Sequence, residues 1–226
     1  MGVSATTQAV IIDLDGTLLD TATDLANAVN LMLADLGRQL LPESTIATFV
    51  GKGAEVLVHR AIGGHVDARA EPALHERGLS AFYRHYEVQN GLTARAYDGV
   101  HEGLRAMRGA GLKLVCVTNK PQRYADPLLE RCGLAEHFEF VLGGDALPRK
   151  KPDPLPMLHA AQRLGVAPAH TVAIGDSVND ALAARAAGMR VFVVPYGYNE
   201  GHDVHALDAD AVVASLLDAA QRIATP

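Results

Sequence analysis

Short apolar runs alternating with helical stretches constrain this chain more than any other feature of its sequence. Ala9-Val10-Ile11-Ile12 is apolar and β-branched and stops abruptly in Asp-Gly turn chemistry, so Gln8 to Leu14 reads as a buried strand. Comparable runs recur at Leu112 to Val117, Phe138 to Leu142, Thr171 to Ile174 and Val191 to Val194, each too short to be an independent helix. Between them, Val100 to Met107, Gln122 to Arg131, Leu155 to Leu164 and Ala181 to Ala187 keep helical spacing, with Gly111, Gly133, Gly165 and Gly188 as stops. Strand and helix alternate, which predicts an α/β fold: a doubly wound parallel sheet, Rossmann-like, with helices on both faces.

The stretch from Asp20 to Gly91 interrupts that pattern. Leu25, Val29, Met32, Leu33 and Leu36 hold helical spacing, and Leu57, Leu74, Phe82 and Tyr86 continue it without a strand signal. An all-helical domain is therefore expected at 20–91, inserted by two hinges into a discontinuous core formed by 1–19 and 92–226.

Size and composition fit such a design. The 226 residues suffice for a core plus an insertion, and 49% hydrophobic with 20% charged residues describes an ordinary globular chain. A net charge of -6 argues against nucleic acid as a partner. No apolar run is long enough to span a bilayer and no signal peptide is evident at the start, so the expected place is the cytoplasm, away from membranes. Met1-Gly2-Val3-Ser4-Ala5-Thr6 fits the loose myristoylation pattern but lacks a basic cluster, so a frayed terminus accounts for it better. Cys116 and Cys132 read as reduced, packed thiols.

In an open parallel sheet, ligands bind beyond the carboxyl ends of the strands. There the sequence is polar: Asp13 and Asp15 after the first strand, Thr118-Asn119-Lys120 after the second, and Gly175-Asp176-Ser177-Val178-Asn179-Asp180 after Thr171 to Ile174. Carboxylates gathered in one crevice repel one another, and a divalent cation is the natural compensation. Donors that are all oxygen favour a hard ion, with Mg²⁺ the best fit. With only five lysines beside 15 arginines, Lys52, Lys120 and Lys151 mark places where an ammonium is specifically useful.

Asp13-x-Asp15-Gly16-Thr17, Thr118-Asn119, Lys151-Pro152 and Gly175-Asp176-x-x-Asn179-Asp180 resemble, in order, the motifs of the haloacid dehalogenase superfamily. The resemblance covers essentially the whole chain, with the insertion similar to the helical cap of one subclass. It implies that Asp13 attacks phosphorus and becomes an aspartyl phosphate, which water then cleaves. Asp15 is implied as general acid and base, and its presence tilts the reading from halide displacement at carbon toward phosphoryl transfer. Thr118, the Asn119 backbone N–H and Lys151 are the implied phosphate ligands. Asp13, the Asp15 carbonyl and Asp176 are the implied Mg²⁺ ligands, with Asp180 holding a bound water or orienting Lys151.

Leu18-Leu19-Asp20-Thr21-Ala22-x-Asp24-Leu25, Gly51-x-Gly53-Ala54, Asn119-Lys120-Pro121, Lys151-Pro152-Asp153-Pro154 and Tyr196-Gly197-Tyr198-Asn199 resemble the superfamily's phosphoglycolate phosphatase branch. The implied substrate is a small phosphorylated carboxylic acid, 2-phosphoglycolate, hydrolysed to glycolate and phosphate by a monomer or a homodimer. Lys52, on its Gly-flanked loop, is the expected partner of the substrate carboxylate, with Tyr198 and Asn199 near it. That branch often carries a different residue between those two glycines.

Alternatives remain: a phosphatase for another sugar or sugar-acid phosphate, a phosphomutase with the same motifs, or a non-catalytic binding protein on this fold. Other local patterns lead nowhere. The glycine of Asp13 to Gly16 stands in the wrong place for an EF-hand, and Ser177 lacks the second glycine of a nucleophile elbow and reads as a helix cap. Gly51-Lys52-Gly53 lacks the third glycine of a dinucleotide fingerprint, and His202 with His205 reads as solvated surface.

Overall fold

The computed structural model describes residues 6–225; Met1 to Ala5, where the myristoylation-like pattern begins, lie outside the described residues. The chain opens with β1 (Ala9–Ile12), β2 (Leu19–Asp20), α1 (Ala22–Asp35), α2 (Glu43–Ala47), α3 (Ala54–Gly63), α4 (Pro72–Gln89) and β3 (Arg95–Ala96). It continues through α5 (Val100–Gly109), β4 (Lys113–Val117), α6 (Gln122–Arg131), β5 (Phe140–Leu142), α7 (Leu155–Leu164) and β6 (Thr171–Gly175). It ends with α8 (Val178–Ala186), β7 (Arg190–Val193), β8 (Ala211–Val212) and α9 (Leu216–Ala224).

Six strands form one parallel sheet in the order β5-β4-β1-β6-β7-β8. Strand side chains alternate between faces, so Val10 and Ile12 of β1 enter one core with Leu104 and Met107 of α5 and Leu216 of α9. Ala9 and Ile11 enter the opposite core with Met157 of α7 and Ala184 of α8. All four β1 side chains are buried, as an unbroken apolar strand in a doubly covered sheet requires. Each large one stabilises the fold by about 1.5–3 kcal/mol.

The chain order reverses at β1, between β4 on one side and β6 on the other. A crevice forms at that switch point, beyond the carboxyl ends of these strands. The sheet's far edge goes beyond the predicted elements: β8 is too short for periodicity, and α9 buries Leu216, Ala219 and Ala220 at helical spacing. α9 docks on α5 at Gly103, where a Cβ would meet the Leu216 backbone at 2.5 Å. α8 starts at Val178 rather than Ala181 because Ser177 is its N-cap, with its hydroxyl 2.7 Å from the Asp180 carboxylate.

α1 to α4 form the helical insertion around Leu25, Val29, Met32, Phe49, Val58 and Phe82, and that cluster also takes in Tyr124 and Tyr198 from the sheet side. Its two connections are more firmly tied than simple hinges. β2 and β3 pair antiparallel, Leu19 with Ala96 and Asp20 with Arg95. The fully buried Asp24 carboxylate accepts from Gly91 N–H at 2.8 Å, Thr93 N–H at 2.9 Å and the Thr93 hydroxyl at 2.7 Å. Among the described residues, no helix is long and apolar enough to cross a membrane.

Candidate active site

Asp13 leaves β1 at the switch point, its N–H donating to Ile174 O at 3.0 Å, so its carboxylate stands at the sheet's carboxyl edge. Lys151 reaches it from the loop before α7. The buried ammonium donates at 2.7 Å to Asp13 Oδ1, to Asp180 Oδ1 and to the Val117 carbonyl, which uses all three of its protons. The expected orienting of Lys151 by Asp180 corresponds to this contact.

Asp13, Asp176 and Asp180 bring carboxylate oxygens within 4.8 Å of one another. Asp176 is held by the Thr17 hydroxyl at 2.9 Å and by the Tyr198 N–H. Two glycines make the room: a Cβ on Gly16, whose φ is +87°, or on Gly197 would collide with the Asp176 carboxylate. Burial pushes the Asp13 carboxyl up to about 7, against Lys151 and with the help of the Asp180 charge. Burial, then the charges of Asp180 and Asp13, push Asp176 well above the carboxylate range. One ammonium is too little to hold all three carboxylates ionised, and the donors are oxygen only. The cluster therefore fits a hard divalent cation.

Asp15 takes another direction. Its oxygens lie 2.7 and 3.0 Å from the Lys120 ammonium, and the Thr21 hydroxyl donates to it at 2.8 Å. Thr118 and Asn119 line the crevice, where the Thr118 hydroxyl accepts from Lys120 N–H at 3.1 Å. The Asn119 amide donates at 2.9 Å to both Gly51 O and Lys151 O, joining the helical insertion to the lysine loop.

Above these residues lies a cavity of about 50 Å³, walled on the insertion side by Leu25, Val50, Leu57, Phe82 and Tyr86. Lys52 is not among its lining residues, a correction to the expected placement. Its ammonium turns to Glu200 at 2.7 Å, which also holds the buried Arg60 at 2.8 Å. Glu200 is presented from the loop after β7 in a left-handed conformation, φ 52°, that nothing in the sequence announced. Tyr198 and Asn199 are likewise turned to support: the Tyr198 hydroxyl accepts from Thr21 N–H at 2.8 Å, and Asn199 Oδ1 accepts from Val178 N–H at 3.1 Å.

Sequence reasoning singled out Lys120 by lysine scarcity but gave it no role. Apolar helical spacing marked Tyr86 only as a core position, whereas the structure places it in the cavity wall. Both cysteines are free; burial, then the Asp13 charge, push the Cys116 thiol up. Among the described residues no other three or more acidic, His or Cys side chains gather as Asp13, Asp176 and Asp180 do.

A buried aspartate at a parallel-sheet switch point, neutralised by lysine, flanked by two more carboxylates and roofed by a helical insertion, defines a class of enzyme. The chain belongs to the haloacid dehalogenase-like hydrolase family, whose model matches residues 7–188. Within it, the chain is 52% identical over 213 residues to the phosphoglycolate phosphatase of Thiobacillus denitrificans, covering 94% of both chains. It is 51% identical over 216 residues to that of Nitrosospira multiformis, covering 96% of this chain and 95% of the relative. Among solved structures, a predicted phosphoglycolate phosphatase from Haemophilus somnus superposes with a TM-score of 0.90 at 30% identity, covering 96% and 97% of the two chains.

Proposed function

We propose that this hydrolase converts 2-phosphoglycolate to glycolate and inorganic phosphate through a phosphorylated Asp13. The observation that carries the reading is the Lys151 ammonium shared between Asp13 and Asp180, beside Asp176 and beneath the cavity. Such a contact aims the nucleophilic carboxylate and favours its charged form against the effect of burial.

In the first step, an Asp13 oxygen attacks phosphorus, the P–O bond to the leaving glycolate breaks, and Asp15 delivers a proton to the departing alkoxide. In the second, Asp15 takes a proton from water as its oxygen attacks the phosphorus, and Asp13 is released. Thr118, the Asn119 N–H and Lys151 grip the non-bridging oxygens. Asp13, the Asp15 carbonyl, Asp176 and Asp180 are the residues that would hold Mg²⁺. When bound, the ion neutralises the carboxylates and polarises the phosphoryl group.

Residues 20–91 act as the cap and select the organic group that the phosphoryl group carries. The apolar wall that the insertion gives the cavity, Leu25, Val50, Leu57 and Phe82, offers few partners to sugar hydroxyls, which favours a small acid over a hexose phosphate. The test is a panel of phosphomonoesters with Mg²⁺: kcat/KM should be highest for 2-phosphoglycolate, with phosphate released and no isomer formed. A sugar phosphate hydrolysed more efficiently, or isomerised, would overturn the assignment.

A further inference from the structure

We infer that the Tyr86 hydroxyl and the Lys120 ammonium form the subsite for the substrate's own carboxylate. This assignment rests on the reading of the substrate as a small phosphorylated acid and deepens it. Tyr86 sits near the end of α4, 2% exposed, stacked on Phe82 at 5.2 Å and edge-on to Tyr124 at 5.0 Å between ring centres. Its ring is thereby fixed, and its buried hydroxyl makes no well-formed hydrogen bond among the described residues, with the Lys120 ammonium as its near neighbour. A buried hydroxyl left unpaired is costly, and binding sites are where proteins keep such groups.

Among the described residues, the other unpaired buried side-chain atoms are Asn90 Oδ1, Asn119 Oδ1 and His137 Nδ1. Of these, only Asn119 lines the cavity, and its Oδ1 is an acceptor, of no use to a carboxylate. Tyr86 lines the same cavity and offers a donor.

The charge comes from Lys120. Lys151 belongs to Asp13, Asp180 and the phosphoryl oxygens and does not line the cavity, whereas Lys120 lines it, shares two protons with Asp15 and lies 5.0 Å from the centre of the Tyr86 ring. The ammonium thus stands between the proposed acid-base residue and the unpaired phenol. A carboxylate there accepts one hydrogen bond from each. Around them, Leu25, Val50, Leu57 and Phe82 accommodate a methylene group and offer nothing to sugar hydroxyls.

The experiment compares 2-phosphoglycolate with ethyl phosphate, the same ester without the carboxylate, in wild type and Tyr86→Phe with Mg²⁺. Because Tyr86→Phe keeps the buried ring and its stacking on Phe82 and Tyr124, packing is left intact. The ratio of kcat/KM for the two substrates should fall by about tenfold to 100-fold, mainly through KM, the size expected for one hydrogen bond to a charged group. An unchanged ratio, whether both activities hold or fall together, would overturn the subsite while leaving the substrate assignment standing. A wild-type enzyme with no preference for 2-phosphoglycolate would overturn both.

Discussion

On the sheet side, Asp13 lines the cavity, and behind it stand Asp176, Asp180 and Lys151, ionisable groups held together by one shared ammonium and close carboxylates. On the insertion side stand Leu25, Val50, Leu57 and Phe82, packed in a separate helical core with Tyr86 as a polar exception. The difference separates two tasks. Charge held in a rigid, desolvated frame drives the chemistry on a phosphoryl group, whereas an apolar wall with few donors decides which group may be attached to it. Substitutions on the sheet side should therefore abolish turnover, and those on the insertion side should change stability or selectivity.

The largest effect is expected from Asp13→Asn. It removes the nucleophile but relieves carboxylate repulsion, so kcat should fall by about 10⁴-fold or more while the melting temperature does not drop. Retained turnover would break the comparison at its centre.

Lys151→Met comes next. Its loss leaves Asp13 and Asp180 buried without their cation, a penalty of about 3–5 kcal/mol in chelator, partly recovered when Mg²⁺ is added. Thermal denaturation with and without the ion reads both. An equal loss in the two conditions would mean that no cation shares the site.

Phe82→Ala, on the insertion side and 1% exposed, should cost about 3 kcal/mol of stability through the cavity it leaves. The activity remaining in the folded fraction should still pass through Asp13, so Phe82→Ala combined with Asp13→Asn should be no more active than Asp13→Asn alone.

The smallest effect concerns the contact between the two regions at Glu200. Burial raises its carboxyl, but the hydrogen bonds from Lys52 and Arg60 outweigh that and hold it below the ordinary 4.5. A lowered folded value means stabilisation that is present above pH 4.5 and lost as the pH falls through that lowered value. Glu200→Gln should therefore lower stability by about 1 kcal/mol near neutrality, and the gap to wild type should close in acid. A gap independent of pH would show that the ion pair contributes nothing.

The same contrast governs how much the sequence made legible. Strand ends announce themselves through apolar runs that stop in Asp-Gly or Gly-Asp, so Asp13, Asp176 and the parallel sheet around them could be read directly. Helical spacing revealed that the insertion is helical but not which atoms its helices turn toward the crevice. Lys52 looked like a substrate ligand until the loop after β7 brought Glu200 to it, a meeting of residues far apart in the chain and dependent on one left-handed residue. Tyr86 was indistinguishable from any apolar helix position, because an unpaired hydroxyl is a property of surroundings and not of spacing. β8, at two residues, is too short for periodicity to show, whereas α9 carries a readable apolar face in Leu216, Ala219, Ala220 and Ile223 that strand-helix alternation alone did not single out.

The measurement that bears most directly on the account is acid quenching of the enzyme during turnover of phosphorus-labelled 2-phosphoglycolate with Mg²⁺, and then mapping of the label. The label should be found as an acid-stable, base-labile acyl phosphate on the peptide containing Asp13, and should vanish in Asp13→Asn. Label on any other side chain, or undiminished turnover in Asp13→Asn, would contradict it.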